Sequence, residues 1–326
     1  MNYIGSKYKL LSFLKSTIDK TVGSLEGKVF CDLFSGTGVV AQAFKPTCSV
    51  IANDIEYYSY VLNQHYIQNN IHTDIEELIK HLNSLDGIEG FIFKHYAKDR
   101  MYFSEDNAKK IDAIRQEIRK LYLNKEVTSD VYYTLLTSLL EASDKVANTA
   151  SVYAAYLKNI KLSASKPIQL NAPKEIIGTG VYRVYKEDAN ELVKSISGDI
   201  LYLDPPYNSR QYGANYHMLN TIAEYNTEFT PRGVSGMRDY FKSQYCSKRT
   251  VAEALTDLLK HAQFKYVFLS YNNEGLLSLG DIQSIMSKLG KYRRVCKEYQ
   301  RFKSDTKREQ VADKTIEYLH ILEKRN

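Results

Sequence analysis

The chain lacks several features that mark particular classes of protein. Its 326 residues include no tryptophan, 6 prolines and 4 cysteines. The cysteines are far apart and form no Cys-x-x-Cys pair, which excludes a zinc knuckle and a dense disulfide framework and favours a reducing compartment. No run of about 18 apolar residues occurs, and the first residues do not have the pattern of a signal peptide. We therefore expect no export and no membrane partner, and we place the chain in the cytoplasm.

Charge and composition are those of an ordinary globular protein. Lys and Arg number 44 and Asp and Glu 38, so the net charge is +6, and 44% of the residues are hydrophobic. A chain of this length and composition buries a sizeable core, which excludes disordered and fibrous classes. Tyrosine is the one excess, with 27 residues. Because tyrosine is common both in strands and on surfaces that stack nucleic-acid bases, this count alone decides no function.

Apolar periodicity predicts alternating helices and strands up to about residue 70. Residues 8–22 have helical spacing and end before Gly23. A short apolar run over residues 29–34 is followed by a Ser-Gly-Thr-Gly loop and a helix-compatible segment. A second run, residues 48–52, leads into a tyrosine-rich helical segment that extends to about Asn69. Two successive β-α units predict an α/β fold with a parallel, doubly wound sheet.

The pattern changes after residue 70. Residues 71–159 are charged, contain no proline and have helical spacing, which predicts a helical insertion. Sheet-like runs return at residues 198–203 and 265–270, and two final runs, residues 292–302 and 315–322, flank a polar loop. The final pair predicts a β-hairpin that closes the edge of the sheet. We therefore divide the chain into a catalytic sheet domain, residues 1–70 and 172–326, and an insertion, residues 71–171.

The glycine loop after the first strand favours a nucleotide-like ligand. Gly36 and Gly38 stand where a strand turns into a helix, which allows a ligand to approach the backbone and the helix N-terminus. Ala41 replaces the third glycine of the dinucleotide fingerprint, so a pyrophosphate cofactor is weakly supported. Asp54, at the end of the second strand, is placed to accept hydrogen bonds from ribose hydroxyls. The alternative is a tight turn with a surface carboxylate.

The most specific motif is Asp204-Pro205-Pro206-Tyr207, which follows the predicted strand at residues 198–203. The two prolines fix the backbone just beyond the carboxyl end of a strand and remove two amide donors. The loop is therefore rich in hydrogen-bond acceptors. Asp204 and the Pro205 carbonyl are able to accept both N–H bonds of a ring amino group while Tyr207 stacks on the ring. The alternative is a Pro-Pro turn with an N-capping aspartate.

These motifs resemble the D12 class of DNA adenine methyltransferases, which includes Dam-like enzymes and restriction-system methylases. The resemblance follows the alpha order of motifs and extends over nearly the whole chain. Four segments are similar to its N-terminal cofactor motif, F-x-G-x-G loop, ribose-binding acid and catalytic motif: Asn2–Lys7, Asp32–Gly38, Asn53–Ile55 and Asp204–Tyr207. Further segments that look like recurring parts of the class are Arg100–Ser104, Asn107–Ala108 and Ile111–Arg115.

The resemblance implies a fold, a cofactor and a site. The implied fold is a Rossmann-like methyltransferase sheet with a helical DNA-recognition insertion and a C-terminal β-hairpin. The implied cofactor is S-adenosyl-L-methionine, and no metal is needed. The implied cofactor-binding residues are Tyr3, Lys7, Asp32, Phe34, Gly36, Gly38, Asp54 and Asp204. The implied catalytic residues are Asp204, Pro205, Pro206 and Tyr207.

The implied reaction is direct transfer of the cofactor's methyl group to the exocyclic N6 amine of adenine. Acceptors at Asp204 and Pro205 would favour the pyramidal nitrogen of the transition state. Because a base inside a duplex does not reach such a pocket, we expect the adenine to be flipped out of double-stranded DNA. A net charge of +6 predicts moderate, salt-sensitive nonspecific binding. The expected DNA contacts are Arg100, Arg115, Asn208, Arg210, Gln211, Tyr212 and Arg238.

Several other functions stay open at this point. An N4-cytosine methyltransferase would use a similar fold, although those enzymes more often have Ser than Asp at the first position of the catalytic motif. A protein or RNA amine methyltransferase would use the same chemistry, with Asn commoner at that position. A catalytically inactive DNA-binding module and a nicotinamide-dependent oxidoreductase are the alternatives from other classes. The intact Asp204–Tyr207 motif and the missing third glycine argue against these last two.

The resemblance also implies a biological setting. The chain is expected to be encoded by a prokaryote or a phage, to act in a restriction-modification system, and to have a cognate restriction endonuclease that acts separately. The stretch Asp204–Tyr216 resembles methylases that modify CATG more than those that modify GATC.

Overall fold

The short apolar runs of the sequence form the strands of one sheet. The structure, a computed structural model, describes residues 4–300 and 314–325. The strands are β1 (Val29–Asp32), β2 (Ser49–Asn53), β3 (Tyr182–Tyr185), β4 (Ser197–Leu203), β5 (Gln263–Asn272), β6 (Gly290–Gln300) and β7 (Lys314–Lys324). Their order in the sheet is β3-β2-β1-β4-β5-β7-β6, with β1 to β5 parallel and β7 antiparallel to β5 and β6. The predicted α/β sheet and its C-terminal hairpin are confirmed.

The strand order reverses between β1 and β4. From β1 the chain continues to β2 and β3 on one side, and β4 then begins the other side of the sheet. In open α/β sheets, ligands bind outside the carboxyl ends of the strands at such a switch point. Asp32 ends β1, Asn53 ends β2, and Asp204 follows β4 directly. The topology therefore brings to one edge of the sheet polar side chains that are far apart in the chain.

Strand β3 was not predicted from the sequence. It forms the edge of the sheet next to β2, and only Tyr182 of its four residues is buried. Because an edge strand buries few side chains, it contains no apolar run that would indicate it. The other strands agree with the prediction to within a few residues, although the predicted end of the strand at Phe302 lies outside the described residues.

The longer helices begin at side-chain caps. Ser104 accepts a hydrogen bond from the amide of Asn107, and Thr128 accepts one from the amide of Val131. None of the described helices is long and apolar enough to cross a membrane. π-helical turns at Gln64–Gln68 and Lys94–Lys98 continue the third and fifth helices. The helices are α1 (Leu11–Val22), α2 (Val39–Phe44), α3 (Tyr57–Asn63), α4 (Glu76–Ser84), α5 (Phe91–Phe93), α6 (Glu105–Leu123), α7 (Ser129–Val146), α8 (Ala189–Leu192), α9 (Tyr212–Asn215), α10 (His217–Glu224), α11 (Val251–His261) and α12 (Leu279–Ser287).

The described chain divides into two units. The sheet unit contains Gly5–Ile55, Ile176–Gln211 and the described residues from Phe241 onward. The helical unit contains Ile4, Glu56–Glu175 and Tyr212–Tyr240, so it extends beyond the expected insertion of residues 71–171. The added segments belong to it because side chains of α3 and α10 pack into the same apolar core as those of α6 and α7. That this unit recognises the target stays a prediction.

The helical stretch ends earlier than predicted. Helix α7 ends at Val146, and the described residues 147–181 contain no helix. Asn148 explains this end, because its side chain donates to the carbonyls of Met101 and Leu157 and accepts from the amide of Lys161. Asparagine side chains that bind the backbone in this way favour loops over helices. The prediction of helix is therefore wrong over residues 147–159.

Candidate active site

The glycine loop lies at the carboxyl edge of the sheet and is fixed to the end of β2. Gly36 and Gly38 have φ angles of 51° and 75°, in the left-handed region that favours glycine. The Ser35 amide donates to the Asn53 carbonyl at 2.9 Å. The Gly36 amide donates to the Asp54 carboxylate at 2.8 Å. The structure thus places the glycine loop and Asp54 side by side, as the sequence predicts.

Asp32 contributes a buried carboxylate next to this loop. It is the last residue of β1 and is 1% exposed. Its Oδ2 accepts from the Ala41 amide at 3.1 Å, whereas its Oδ1 has no hydrogen-bond partner among the described residues. Burial and the nearby Asp204 carboxylate raise the pKa of Asp32 well above its usual value. Because a buried oxygen without a partner is costly, Oδ1 marks a position where a ligand donor is expected.

These features fit a nucleoside-type cofactor. The glycines allow close approach to the backbone, Asp54 is an acceptor suited to a ribose, and Asp32 has an unsatisfied oxygen. Phe34 adds a half-buried ring, whose centroid lies 5.1 Å from that of Tyr245 in an edge-on contact. Tyr3, which was also predicted to bind the cofactor, lies outside the described residues. In the part of the chain that is described, no group of three or more His, Cys, Asp and Glu is arranged to hold a metal ion.

The Asp204–Tyr207 loop begins where β4 ends. The Asp204 side chain is 17% exposed, and its Oδ1 lies 2.9 Å from Lys7 Nζ. Burial raises the pKa of Asp204 to about 6, with Lys7 opposing this shift and Glu317 adding to it. At neutral pH the Asp204 carboxyl is therefore mostly ionised and accepts hydrogen bonds rather than donating them.

Lys7 joins two carboxylates inside the sheet unit. It is 4% exposed, and its ammonium lies 2.9 Å from Asp204 and 3.1 Å from Glu317. Burial lowers the pKa of Lys7, but the two carboxylates more than offset this effect and hold the pKa well above its usual value. Lys7 was predicted as a cofactor contact, and the structure places its charge directly against Asp204.

Tyr207 completes the loop with a fixed aromatic ring. Its carbonyl accepts from the Leu276 amide at 2.9 Å. Its ring meets that of Tyr271 edge-on, with 6.1 Å between centroids and an angle of 71°. The Lys7 ammonium lies 5.6 Å from the Tyr207 ring centroid. Burial raises the pKa of Tyr207, so its phenol is neutral and its ring is suited to stacking on a planar ligand.

Glu317 and Ser270 were not among the predicted site residues. Glu317 lies on β7, is fully buried, and accepts a hydrogen bond from Ser270 of β5 at 2.5 Å. The sequence does contain a signal for it. Glu317 is in phase with Leu319 and Ile321 on the buried face of its strand, and a charge on such a face requires a partner.

The predicted DNA contacts in the sheet unit lie just after the Asp204–Tyr207 loop. Asn208 accepts a hydrogen bond from the amide of Arg210 at 3.0 Å. Gln211 accepts one from the amide of Ser243 at 2.9 Å. Asn208 therefore orders its own loop, whereas Gln211 joins this loop to the segment that contains Ser243. The Arg210 side chain is exposed and is the one of the three that presents a charge to solvent.

Arg115 is buried in the helical unit rather than exposed. It is 2% exposed, and its guanidinium donates to the carbonyls of Ile222 and Ala223. Tyr212, another predicted DNA contact, is half-buried and donates to the Ile4 carbonyl at 3.3 Å. Arg115 therefore lies where it stabilises the helical unit, and its burial does not support the predicted DNA contact.

Arg100 and Arg238 are also occupied within the helical unit. Arg100 donates to the carbonyls of Gly233 and Val234 and thereby stabilises the loop that contains these two residues. Arg238 forms an ion pair with Glu224, and only 15% of its side chain is exposed. Both guanidinium groups therefore have partners within the helical unit, and their contact with DNA stays a prediction.

Comparisons with known proteins agree with this geometry. Residues 3–285 match the family model described as D12 class N6 adenine-specific DNA methyltransferase. The chain is similar to the Type II methyltransferase M.NlaIII of Neisseria lactamica, with 53% identity over 333 residues that cover 99% of each protein. It is 39% identical to the Type II methyltransferase M.CviAII of Paramecium bursaria Chlorella virus 1, covering 99% of the chain and 98% of that protein. It is 37% identical to the Type II methyltransferase M.FokI of Planomicrobium okeanokoites, of which it spans 53%.

Proposed function

This chain belongs to the D12 class of N6 adenine-specific DNA methyltransferases, and from that premise we propose which of its residues carry out the reaction. It uses S-adenosylmethionine to methylate the exocyclic N6 amine of adenine in DNA. The residue roles proposed below rest on the geometry of the sheet unit.

Asp204 is the residue on which the proposed chemistry depends. The N6 amine is a weak nucleophile because its lone pair is delocalised into the adenine ring. An ionised Asp204 and the Pro205 carbonyl accept the two N–H bonds, which favours the pyramidal amine that attacks the methyl group. Tyr207 stacks on the ring and orients it. The observation that supports this assignment is a partly buried carboxylate beside a fixed aromatic ring at the switch point of the sheet.

The cofactor is assigned to the glycine loop and its neighbours. Asp54 accepts hydrogen bonds from the ribose hydroxyls, and the unsatisfied Oδ1 of Asp32 accepts a donor of the cofactor. Gly36 and Gly38 allow it close to the backbone, and Phe34 offers an apolar surface. When bound, S-adenosylmethionine supplies a methyl group on a positively charged sulfur. The ionised Asp204 is a suitable electrostatic neighbour for that charge.

The DNA must present its adenine outside the helix, so we propose that the duplex is held while the base is flipped out. Exposed basic residues suit this role better than the buried arginines. In the helical unit, Lys94, Arg119 and Lys120 line a groove of about 750 Å³ together with Phe91 and Phe229. Lysine and arginine at such a surface contact phosphates, and each contact makes binding more sensitive to salt.

The DNA surface is tested by the salt dependence of duplex affinity, measured by fluorescence anisotropy. Replacing Lys94 and Arg119 with Gln is expected to reduce the slope of log K against log salt by about 1 for each residue. The matched control replaces Lys158 and Lys166, which are exposed in the same unit but do not line the groove. Equal slopes for the two double variants would show that the groove does not contact DNA.

We further propose that the chain protects DNA from a separate restriction endonuclease in the cytoplasm. The support is its similarity to proteins named Type II methyltransferases over their whole length. CATG is the proposed target, because Asp204–Tyr216 resembles methylases that modify this site. Duplexes that contain CATG or GATC, digested by endonucleases specific for each after treatment with the protein, test both points. Protection of GATC alone would overturn the proposed target.

The proposed reaction is tested by mass spectrometry of nucleosides from unmethylated plasmid DNA treated with protein and S-adenosylmethionine. We expect N6-methyladenine with the wild type and with Asp199→Asn, which changes a half-exposed aspartate of β4 that pairs with Lys28. We expect none with Asp204→Asn. N4-methylcytosine would assign the pocket to cytosine, and no modified base would overturn the proposed reaction.

A further inference from the structure

Glu317 is a buried charge to which the reaction described above gives no role. Its side chain is fully buried on β7, where it contacts the ammonium of Lys7 at 3.1 Å and the hydroxyl of Ser270 at 2.5 Å. A buried carboxylate is costly unless it is paired and hydrogen-bonded, and even a paired one often stabilises less than an apolar residue would. Stability alone is therefore a weak reason for this residue.

The arrangement of charges gives a better reason. One ammonium, that of Lys7, is shared by two carboxylates, Asp204 at 2.9 Å and Glu317 at 3.1 Å. If Asp204 were the only partner, the full charge of Lys7 would be directed at the oxygen atoms that have to accept the adenine amine. A second carboxylate, oriented by Ser270, draws part of that interaction away.

We propose that Glu317 is a positioning residue that holds Lys7 and so leaves the Asp204 carboxylate able to accept the target amine. Because it acts through Lys7, Glu317 does not touch the reacting atoms. This role rests on the proposed function of Asp204. It also explains why a lysine beside the acceptor carboxylate does not block it.

The effect of removing the Glu317 charge has a defined sign. Glu317 raises the pKa of Asp204, whereas Lys7 lowers it. In Glu317→Gln, Lys7 pairs with Asp204 alone, so the pKa of Asp204 decreases. The methylation rate should therefore fall at neutral pH. The acid limb of its pH profile, which is the range where the rate drops as Asp204 becomes protonated, should move to lower pH. A merely structural role would lower the rate without moving that limb.

Other charged and titratable groups surround this cluster. Among the described residues they are Lys7 before α1, Tyr202 of β4, Tyr207 in the loop and Asp32 of β1. The pKa values of Lys7 and the two tyrosines are raised, so these groups do not titrate between pH 5 and 8. Burial and the Asp204 carboxylate raise the pKa of Asp32. Asp32 is unchanged in every variant compared, so it does not by itself account for a difference between their acid limbs.

The experiment measures single-turnover methyl transfer from pH 5 to 9 with saturating S-adenosylmethionine and duplex DNA. For Glu317→Gln we expect the rate at pH 8 to fall about tenfold, less than for removal of a group that contacts the reacting atoms. We expect its acid limb to move down by about one pH unit. Glu317→Asp, which keeps the charge, should recover part of the rate.

The control is His320→Gln. His320 is a buried residue of β7, and burial lowers its pKa to about 4. This substitution should leave the acid limb in place. An unchanged rate for Glu317→Gln, or a lower rate with an unmoved limb, would overturn the proposal. If Glu317→Gln does not fold, Ser270→Ala decides, because a normal rate in that variant contradicts the role of the Glu317 carboxylate. A wild type that does not methylate adenine at all would instead refute the proposed function on which this role rests.

Discussion

The burial of Arg115 makes a sharp prediction, because a DNA contact and a structural residue respond to mutation in opposite ways. The Arg115 guanidinium donates to the carbonyls of Ile222 and Ala223, which belong to the last turn of α10 and lack partners within the helix. In Arg115→Met each of these two buried acceptors loses its donor, at a cost of about 1–3 kcal/mol apiece. Burial lowers the pKa of Arg115, which shows that its buried charge is itself costly. Removing the guanidinium therefore offsets part of the loss. The free energy of unfolding should therefore fall by about 2–4 kcal/mol.

The assay is differential scanning calorimetry combined with duplex affinity measured well below the melting temperature. A loss of this size lowers Tm by about 3–6 °C for a protein of this size, while DNA affinity stays close to that of the wild type. Arg119→Met is the matched control, since it lies one turn later on α6 and is exposed. It should leave Tm nearly unchanged and weaken DNA binding. An unchanged Tm with weakened DNA binding in Arg115→Met would refute the structural role.

Four further predictions concern the active site and DNA binding. Asp54→Ala should weaken S-adenosylmethionine binding about tenfold or more by isothermal calorimetry, because it removes a charged hydrogen-bond acceptor; an equal affinity would contradict the assignment. Because the pKa of Asp204 is about 6, the single-turnover rate should fall as pH drops through 6, and a flat rate between pH 5 and 8 would speak against an ionised acceptor. This pKa is raised above the unfolded value of about 3.9, so the native state binds the proton more tightly and stability should decrease as pH rises from about 4 to 6, a dependence that Asp204→Asn should reduce in calorimetry. Nonspecific duplex affinity should fall steeply between low and high salt, and a constant affinity would contradict electrostatic binding.

The parts of the site that could be predicted are those that local sequence determines. A glycine loop that follows an apolar strand, and two prolines directly after another strand, specify where the backbone turns. Both loops therefore lie where the sequence predicts, with Asp54 beside Gly36 and Asp204 at the end of β4.

The position of Arg115 could have been inferred from helix periodicity. Ile111, Ile114 and Ile118 occupy one face of α6 and are buried, and Arg115 shares that face. An arginine within an apolar stripe indicates a buried guanidinium with partners, whereas Arg119 one turn later is exposed. Charge alone suggested DNA contact for Arg115, and the periodicity of α6 indicates burial instead.

The ion cluster of Lys7, Asp204 and Glu317 could not be derived from local patterns. Its members come from a segment before α1, a loop after β4 and a strand near the end of the chain. Only the insertion of β7 beside β5 brings Glu317 to Lys7. Long-range strand order of this kind is set by the packing of the whole sheet, which no short window of sequence contains.

The central claim is that Asp204 acts in methyl transfer itself, and the most direct measurement separates that step from binding. Single-turnover rates and the affinities for duplex DNA and S-adenosylmethionine should be measured for the wild type, Asp204→Asn and the control Asp199→Asn. We predict that Asp204→Asn lowers the rate at least about a hundredfold. Both affinities should stay within about threefold of the wild type. A normal rate in Asp204→Asn, or a loss explained entirely by weaker binding, would contradict the role assigned to this carboxylate.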